Sequence, residues 1–212
     1  MKRLRYRLIW GALLVGIGLL LLLQNLNILG FLWGGVWAFL FAAGGAAFLV
    51  VFLSHPNNWW AVVPGFALLA IGALIGLGTF FPWLEEVVGG SLFLGAIGLS
   101  FWVVYLRSRE QWWAIIPGGV LLTLATVAGL SNTLPWVETG GIFFIGLAAT
   151  FGLVYLLPTP QGRMSWAIIP AAVLFVIGLI VTVATSSLFR YIWPAALILV
   201  GLWLIYRVFR PR

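Results

Sequence analysis

Four glutamates, one histidine and one lysine are nearly all that this 212-residue chain offers for proton transfer or metal binding; it has no aspartate and no cysteine. Without cysteine there are no disulfides, no iron–sulfur clusters, no c-type haem attachment and no thiol catalysis. Glu85, Glu86 and Glu138 could form an acidic ring that captures a cation or a cationic peptide, but no carbonyl or imidazole side chains cluster near them in sequence. A simpler reading is helix-end stabilisation. Pro82 and Pro135 fall where a first helical position is expected, and a missing N–H costs nothing there. Glu85 and Glu138 would then lie in first turns, close to the positive end of the helix macrodipole. Arg190 is expected on the same face, where it could pair with one of these carboxylates. His55 stands alone beside Pro56 and Asn57, and a histidine without a second ligand reads as a solvated loop residue. No catalytic residue, cofactor ligand or metal ligand is assigned.

The elements that must position these residues belong in lipid. Hydrophobic residues are 64% of the chain and charged ones 7%, against about 25% charged in a soluble domain. Crossing ~30 Å of hydrocarbon takes ~20 apolar residues in a helix. Polar or turn-rich breaks divide the chain into eight such spans, at about 8–29, 31–53, 59–79, 83–106, 112–130, 136–157, 166–186 and 190–209. The basic start (Lys2, Arg3, Arg5, Arg7) resembles a signal peptide, but the apolar run continues to about Leu23 with no small-residue cleavage site. It is expected to be an uncleaved first span.

A tandem repeat organises the spans. Trp60-Ala61-Val62-Val63-Pro64, Trp113-Ala114-Ile115-Ile116-Pro117 and Trp166-Ala167-Ile168-Ile169-Pro170 lie 53 residues apart. Phe48–Leu53 matches Phe101–Leu106 at the same offset, as Pro82-Trp83-Leu84-Glu85 matches Pro135-Trp136-Val137-Glu138. A fixed period of this kind means one structural unit duplicated in tandem. The expected fold is therefore all-α: a polytopic membrane protein of eight transmembrane helices in one membrane domain, built as four two-helix repeats. Their limits are about 8–53, 59–106, 112–157 and 166–209. Two spans per unit make the repeats parallel, unlike the inverted repeats common in alternating-access carriers.

Charge sets the expected orientation. Lys2, Arg3, Arg5, Arg7, Arg107, Arg109, Arg163, Arg207, Arg210 and Arg212 fall on one side and only Arg190 on the other. The positive-inside rule places the basic side, with both termini, in the cytoplasm. The net charge of +7 thus reflects topology, and no nucleic-acid partner is expected. Tryptophans gather at both sets of span ends, as an aromatic belt does; an indole cage for a cofactor is the sharper alternative.

Two residue types bear on packing. Starting the third span at Trp59 places Pro64 one turn inside the helix, with Pro117 and Pro170 alike, where proline removes a backbone bond and bends the first turn. Such a bend serves either as a hinge or as a fixed kink that sets how units lean together. Small residues at Gly72 and Gly76, Ser91 and Gly95, and Ala148 and Gly152, with the doublets Gly34-Gly35, Gly44-Gly45, Gly89-Gly90 and Gly140-Gly141, let helix backbones approach closely in lipid. They serve internal packing or, at Gly72, Gly76 and Gly95, a partner helix. Thr123, Thr126, Thr150, Thr182 and Ser100 can bond back to their own helix carbonyls. No ionisable residue lies near a span centre, where proton relays and ion pathways carry them.

The opening Arg7-Leu8-Ile9-Trp10-Gly11-Ala12-Leu13-Leu14, running to Leu23-Gln24-Asn25-Leu26, resembles the start of the LiaI/LiaF-like transmembrane region. So does the closing Ile192-Trp193-Pro194-Ala195-Ala196-Leu197, running to Leu204. The resemblance covers the outermost spans and reaches the middle units only through the repeat. It implies a bacterial inner-membrane protein linked to envelope-stress sensing or envelope maintenance. LiaF-like proteins carry a cytoplasmic domain that restrains a sensor kinase; the sequence reads to Arg212 without one, so that inhibitory role is not expected. The expected function is a non-enzymatic membrane scaffold without cofactor, its partners being the lipid bilayer and either a membrane protein or a second copy of the chain. An accessory subunit of a larger complex and a small transporter or channel are the alternatives.

Overall fold

The computed structural model describes residues 30–157 and 162–185, with helical positions 11, 15, 16, 18, 22, 194 and 197–203 in the flanking segments. Six α-helices follow in order: α1 Gly30–Ser54, α2 Val62–Phe80, α3 Pro82–Arg107, α4 Ile115–Thr133, α5 Thr139–Leu156 and α6 Ile168–Thr185. Counted with the short 3-10 turns that lead into α2, α4 and α6, six segments of 18 to 26 residues are long and apolar enough to cross a bilayer. A helix satisfies its own backbone hydrogen bonds, which the hydrocarbon cannot do for it. The chain is a multi-pass helical membrane protein. The six segments agree within a few residues with the expected spans between 31 and 186; the expected outer spans, 8–29 and 190–209, lie largely outside the described residues.

The repeated Trp-Ala-x-x-Pro block explains how α2, α4 and α6 begin. Each starts two residues before its proline, so Pro64, Pro117 and Pro170 are third in their helices. Before each lies a 3-10 turn: Trp59–Ala61, Arg109–Ala114 and Ser165–Ala167. Proline at that point cannot donate to the carbonyl four residues back, and its ring would collide with it in an α-turn. Winding the entry as 3-10 removes the conflict, with the Val62 N–H bonded to the Trp59 carbonyl and Ile115 to Trp112. The expected bend is thus a tightened entry at the start of the helix. The alanine of the block is fully buried in all three copies (Ala61, Ala114, Ala167). Beside each block the same edge-to-face ring contact recurs at 6.2 Å: Phe48–Trp60, Phe101–Trp113 and Phe151–Trp166.

Each helix packs on its neighbours in sequence, and α1 does not pack against α6. The residues that meet run in opposite order along each pair, so the described helices form an antiparallel serpentine row. The most extensive seams are α1–α2, α3–α4 and α5–α6, ahead of α2–α3 and α4–α5. The tightest hairpins therefore straddle the units expected from the sequence and close at the end carrying Arg107, Arg109 and Arg163, here called the basic end. The main buried cluster lies there too: Phe52, Val62, Val104, Tyr105, Ile115 and Val154 with the three block alanines. Trp59 meets Trp113 edge to face at 5.8 Å and joins adjacent hairpins.

At the opposite, acidic end the two proline turns differ. Phe81 and Leu134 end their helices alike, with φ near −140° and −132° and N–H bonds to Leu77 and Leu130. Pro82 then opens α3 and places Glu85 in its first turn, as expected. Pro135 does not open a helix. Residues 135–137 form a turn, Glu138 is extended, and α5 starts at Thr139, so Glu138 precedes the helix instead of lying in its first turn. Two physical reasons apply. Val-Glu-Thr-Gly-Gly follows Pro135-Trp136 where Leu-Glu-Glu-Val-Val follows Pro82-Trp83, and glycine weakens a helix start. The stretch from Pro135 to Phe151 is also three residues shorter than that from Pro82 to Phe101; an unwound start covers the missing height, because extended chain rises more per residue than helix.

Candidate functional site

Small residues make the seams, and the structure sorts the candidates. Gly72 lies against the α1 backbone: a Cβ there would sit 2.8 Å from the Ala38 carbonyl oxygen and 3.0 Å from the Ala42 nitrogen. Gly45 faces Gly65 and Leu69 equally closely, Gly98 faces Gly118 and Leu122, and Gly141 and Gly178 cross one another. Gly76 and Gly95 have only ordinary methyl contacts, with Ala38 at 3.8 Å and Ala125 at 3.7 Å. All these contacts are within the chain. Of the two roles open to Gly72, internal packing and a partner helix, it takes the first, in the α1–α2 seam. Gly90 and Gly152 face open space.

A second device combines glycine with threonine. Thr79, Thr123, Thr150 and Thr182 each donate the hydroxyl hydrogen to the carbonyl four residues back, on Ile75, Gly119, Gly146 and Gly178, at 2.6 to 2.9 Å. Each also fills the space left by a glycine on the facing helix: Gly34, Gly146, Gly119 and Gly141 respectively. The hydroxyl is satisfied within its own helix, so it enters the seam without an unpaired donor, and the branched side chain supplies shape. Between α4 and α5 the arrangement is reciprocal. Thr123 sits on Gly146 while Thr150 sits on Gly119, and both threonines are buried. The back-bonding expected of Thr123, Thr126, Thr150, Thr182 and Ser100 is observed, Ser100 donating to the Ile97 carbonyl. Their pairing with glycines across the seam was not expected. Three of the four threonines carry the sequence signal Gly-x-x-x-Thr, at Gly119, Gly146 and Gly178; Thr79 follows Ile75 instead, and Gly129-x-x-x-Thr133 has the pattern without a facing glycine.

Beside this reciprocal pair a recess of about 260 Å³ opens between α3, α4 and α5. Its walls include Leu122, Thr126, Ile142, Ala149 and Leu153, and Trp102 closes it on the α3 side. The hydroxyls of Thr123, Thr126 and Thr150 are all spent on their own helices. The Trp102 indole N–H is buried and has no hydrogen-bond partner.

Towards the basic end, guanidinium groups lie over aromatic rings: Arg109 over Tyr105 at 4.4 Å, Arg107 over Phe52 at 5.5 Å and Arg163 over Tyr155 at 5.8 Å. Stacking of this kind holds a cation by the ring quadrupole and leaves its N–H fork free. All three arginines are exposed. Exposed indoles stand at both ends, among them Trp60, Trp113 and Trp166 at the basic end and Trp83 and Trp136 at the acidic end. Among the described residues that distribution has the form of a belt.

The remaining candidates stay apart. His55 is exposed in its loop. No group of three metal-ligating side chains occurs among the described residues. Glu85 lies beside Gly89 on its own helix and Gly78 on α2, and Glu86 is exposed. Arg190 lies outside the described residues, as does any pairing it makes. Comparison with family models, with curated proteins and with solved structures finds no match to this chain.

Proposed function

We propose that this protein is a non-enzymatic integral membrane scaffold that binds a membrane-protein partner or a second copy of itself. The observation that carries the reading is the serpentine row. Its small residues are spent on holding the row together, while α1 and α6, the end helices of the described row, keep broad aliphatic faces outward. On α1 these are Phe39, Val50 and Leu53, each at least 63% exposed; on α6 they are Ile169, Val176 and Ile180, each at least 53% exposed. Gly90 and Gly152 add two uncommitted points of close approach. A rigid panel with apolar flanks suits lateral association in lipid, where packing quality decides which helices pair.

On this reading the four two-helix repeats are duplicated panels. The thrice-repeated 3-10 entry and the matching Gly45–Gly65 and Gly98–Gly118 crossings, 53 residues apart, support that history. The protein sits in a bacterial inner membrane with both termini cytoplasmic, and the LiaI/LiaF-like resemblance of its outer spans links it to envelope-stress sensing. An accessory subunit of a larger complex would use the same flanks. Extraction from native membranes in mild detergent tests the reading: a stoichiometric membrane-protein partner or a homo-oligomer is expected, disrupted by Val50→Arg or Ile180→Arg. Recovery as a monomer without partners would count against it.

A further inference from the structure

We propose that Arg109 and Tyr105 form a site for the phosphate group of an anionic glycerophospholipid in the leaflet at the basic end. Arg163 and Tyr155 form a second copy of it. The guanidinium supplies charge and a two-point N–H fork, and the phenol donates its O–H to another phosphate oxygen.

The repeat places the rings. Phe52, Tyr105 and Tyr155 each lie four residues after a phenylalanine that meets a block tryptophan, namely Phe48, Phe101 and Phe151. All three therefore stand one turn nearer the basic end, on the same face of α1, α3 and α5 as those phenylalanines. Each ring carries one guanidinium: Arg107 on Phe52 at 5.5 Å, Arg109 on Tyr105 at 4.4 Å and Arg163 on Tyr155 at 5.8 Å. The arginines are not equivalent in the repeat. Arg107 ends α3 and reaches back to α1, whereas Arg163 follows the positive-φ turn at Gly162. Topology asks only for positive charge somewhere in these loops; it does not ask that each cation sit on the equivalent ring.

Two further observations point to a ligand. The first is an unpaired donor. Tyr105 is 2% exposed, yet its hydroxyl makes no hydrogen bond among the described residues, whereas a buried phenol normally finds a partner. Among the described residues, the unpaired polar side-chain atoms that are sealed off are the Trp33 and Trp102 indole nitrogens, so the phenol oxygen remains reachable. The second is unneutralised charge. Arg107, Arg109 and Arg163 make no ion pair among the described residues, although Glu110 directly follows Arg109. Stacking on a ring face holds a guanidinium without using its N–H groups, so the fork is already ordered when an oxyanion arrives.

A ligand that meets the guanidinium and the phenol together needs several acceptor oxygens around one centre, as phosphate has. Exposed Trp60, Trp113 and Trp166 mark the headgroup level at this end, and lipid phosphate is concentrated there. A zwitterionic headgroup offers the same phosphate, but its ammonium opposes the neighbouring guanidiniums. The preference is therefore for a net-negative headgroup. Phe52 holds a cation but has no hydroxyl, so the first hairpin carries only half of the site.

The experiment is native mass spectrometry of the intact chain, released from mild detergent after equilibration with phosphatidylglycerol or phosphatidylcholine of identical chains. Two phosphatidylglycerols per chain should be retained, at least about fivefold over phosphatidylcholine. Tyr105→Phe combined with Tyr155→Phe keeps both rings, both arginines and the net charge, and should lower that retention by about threefold or more. Arg109→Gln combined with Arg163→Gln should bring the two lipids to equal retention. Arg107→Gln, over the ring without a hydroxyl, should still retain two. Excess water-soluble glycerol phosphate should leave the lipid in place. Equal retention of both lipids by the unaltered protein would overturn the proposal. Undiminished retention by the tyrosine pair would overturn it too, because attraction by charge needs no hydroxyl. Displacement by glycerol phosphate would assign the site to a soluble phosphate and not to lipid.

Discussion

Gly45→Leu is expected to lower the thermal unfolding midpoint of the detergent-purified protein by about 6–12 °C, while Gly152→Leu leaves it unchanged or slightly higher. Both positions are glycines within helices, so intrinsic propensity alone favours leucine at each by up to about 1 kcal/mol. What differs is the space. A Cβ at Gly45 would lie 2.8 Å from the Gly65 carbonyl oxygen, 2.8 Å from the Leu69 nitrogen and 2.7 Å from the Leu69 side chain. Two of those atoms are backbone and cannot rotate away, so α1 and α2 must separate along the seam that holds the first hairpin. Overpacking costs about 1–3 kcal/mol, and a backbone crossing falls at the upper end, which gives the stated shift at about 2–4 °C per kcal/mol. At Gly152 nothing lies within 4 Å. Equal behaviour of the two variants would show that the Gly45 crossing does not hold the hairpin together.

The second expectation concerns the sides of the membrane. The chain has no cysteine, so a single introduced cysteine is a unique reporter. Asn57, Glu86, Arg109 and Thr133 are all exposed at helix ends, which makes reactivity a question of side alone. In intact cells, cysteines at Glu86 and Thr133 should react fully with a membrane-impermeant maleimide, and those at Asn57 and Arg109 only after permeabilisation. The asymmetry in basic residues underlies the sign. Labelling at Asn57 from outside would invert the orientation, and labelling at both Asn57 and Thr133 would contradict the antiparallel path between them.

Much of this architecture was legible in the sequence, and the exceptions have definite causes. Apolar length and polar breaks located the six described spans because a bilayer imposes one length scale on every crossing. The Trp-Ala-x-x-Pro repeat located the helix entries, but proline chemistry alone did not distinguish a kinked α-turn from a 3-10 lead; the room allowed by the neighbouring helix, visible in the fully buried alanines, goes with the tighter turn. The start of α5 was misplaced because a strict offset of 53 aligns Pro135 with Pro82 and hides the three residues missing before Phe151. Gly72 was recognisable as a point of close approach, but a small residue does not name its neighbour, and α1 occupies it. The recess and the buried, unpaired indole N–H of Trp102 were not legible at all. They arise from Trp102, Thr123 and Thr150 on three different helices, whose meeting depends on seam register.

The central claim, binding without turnover, is tested most directly by flux measurements on the purified protein in sealed vesicles. The described helices contribute no ionisable side chain at mid-span, and α1 and α6 do not meet to close a ring. Ion and solute tracer uptake by protein-containing vesicles should therefore match that of protein-free vesicles, and replacing Glu85, Glu86 and Glu138 together with glutamine should change nothing. Saturable uptake of a solute, abolished by those three substitutions, would contradict the scaffold and make the protein a transporter.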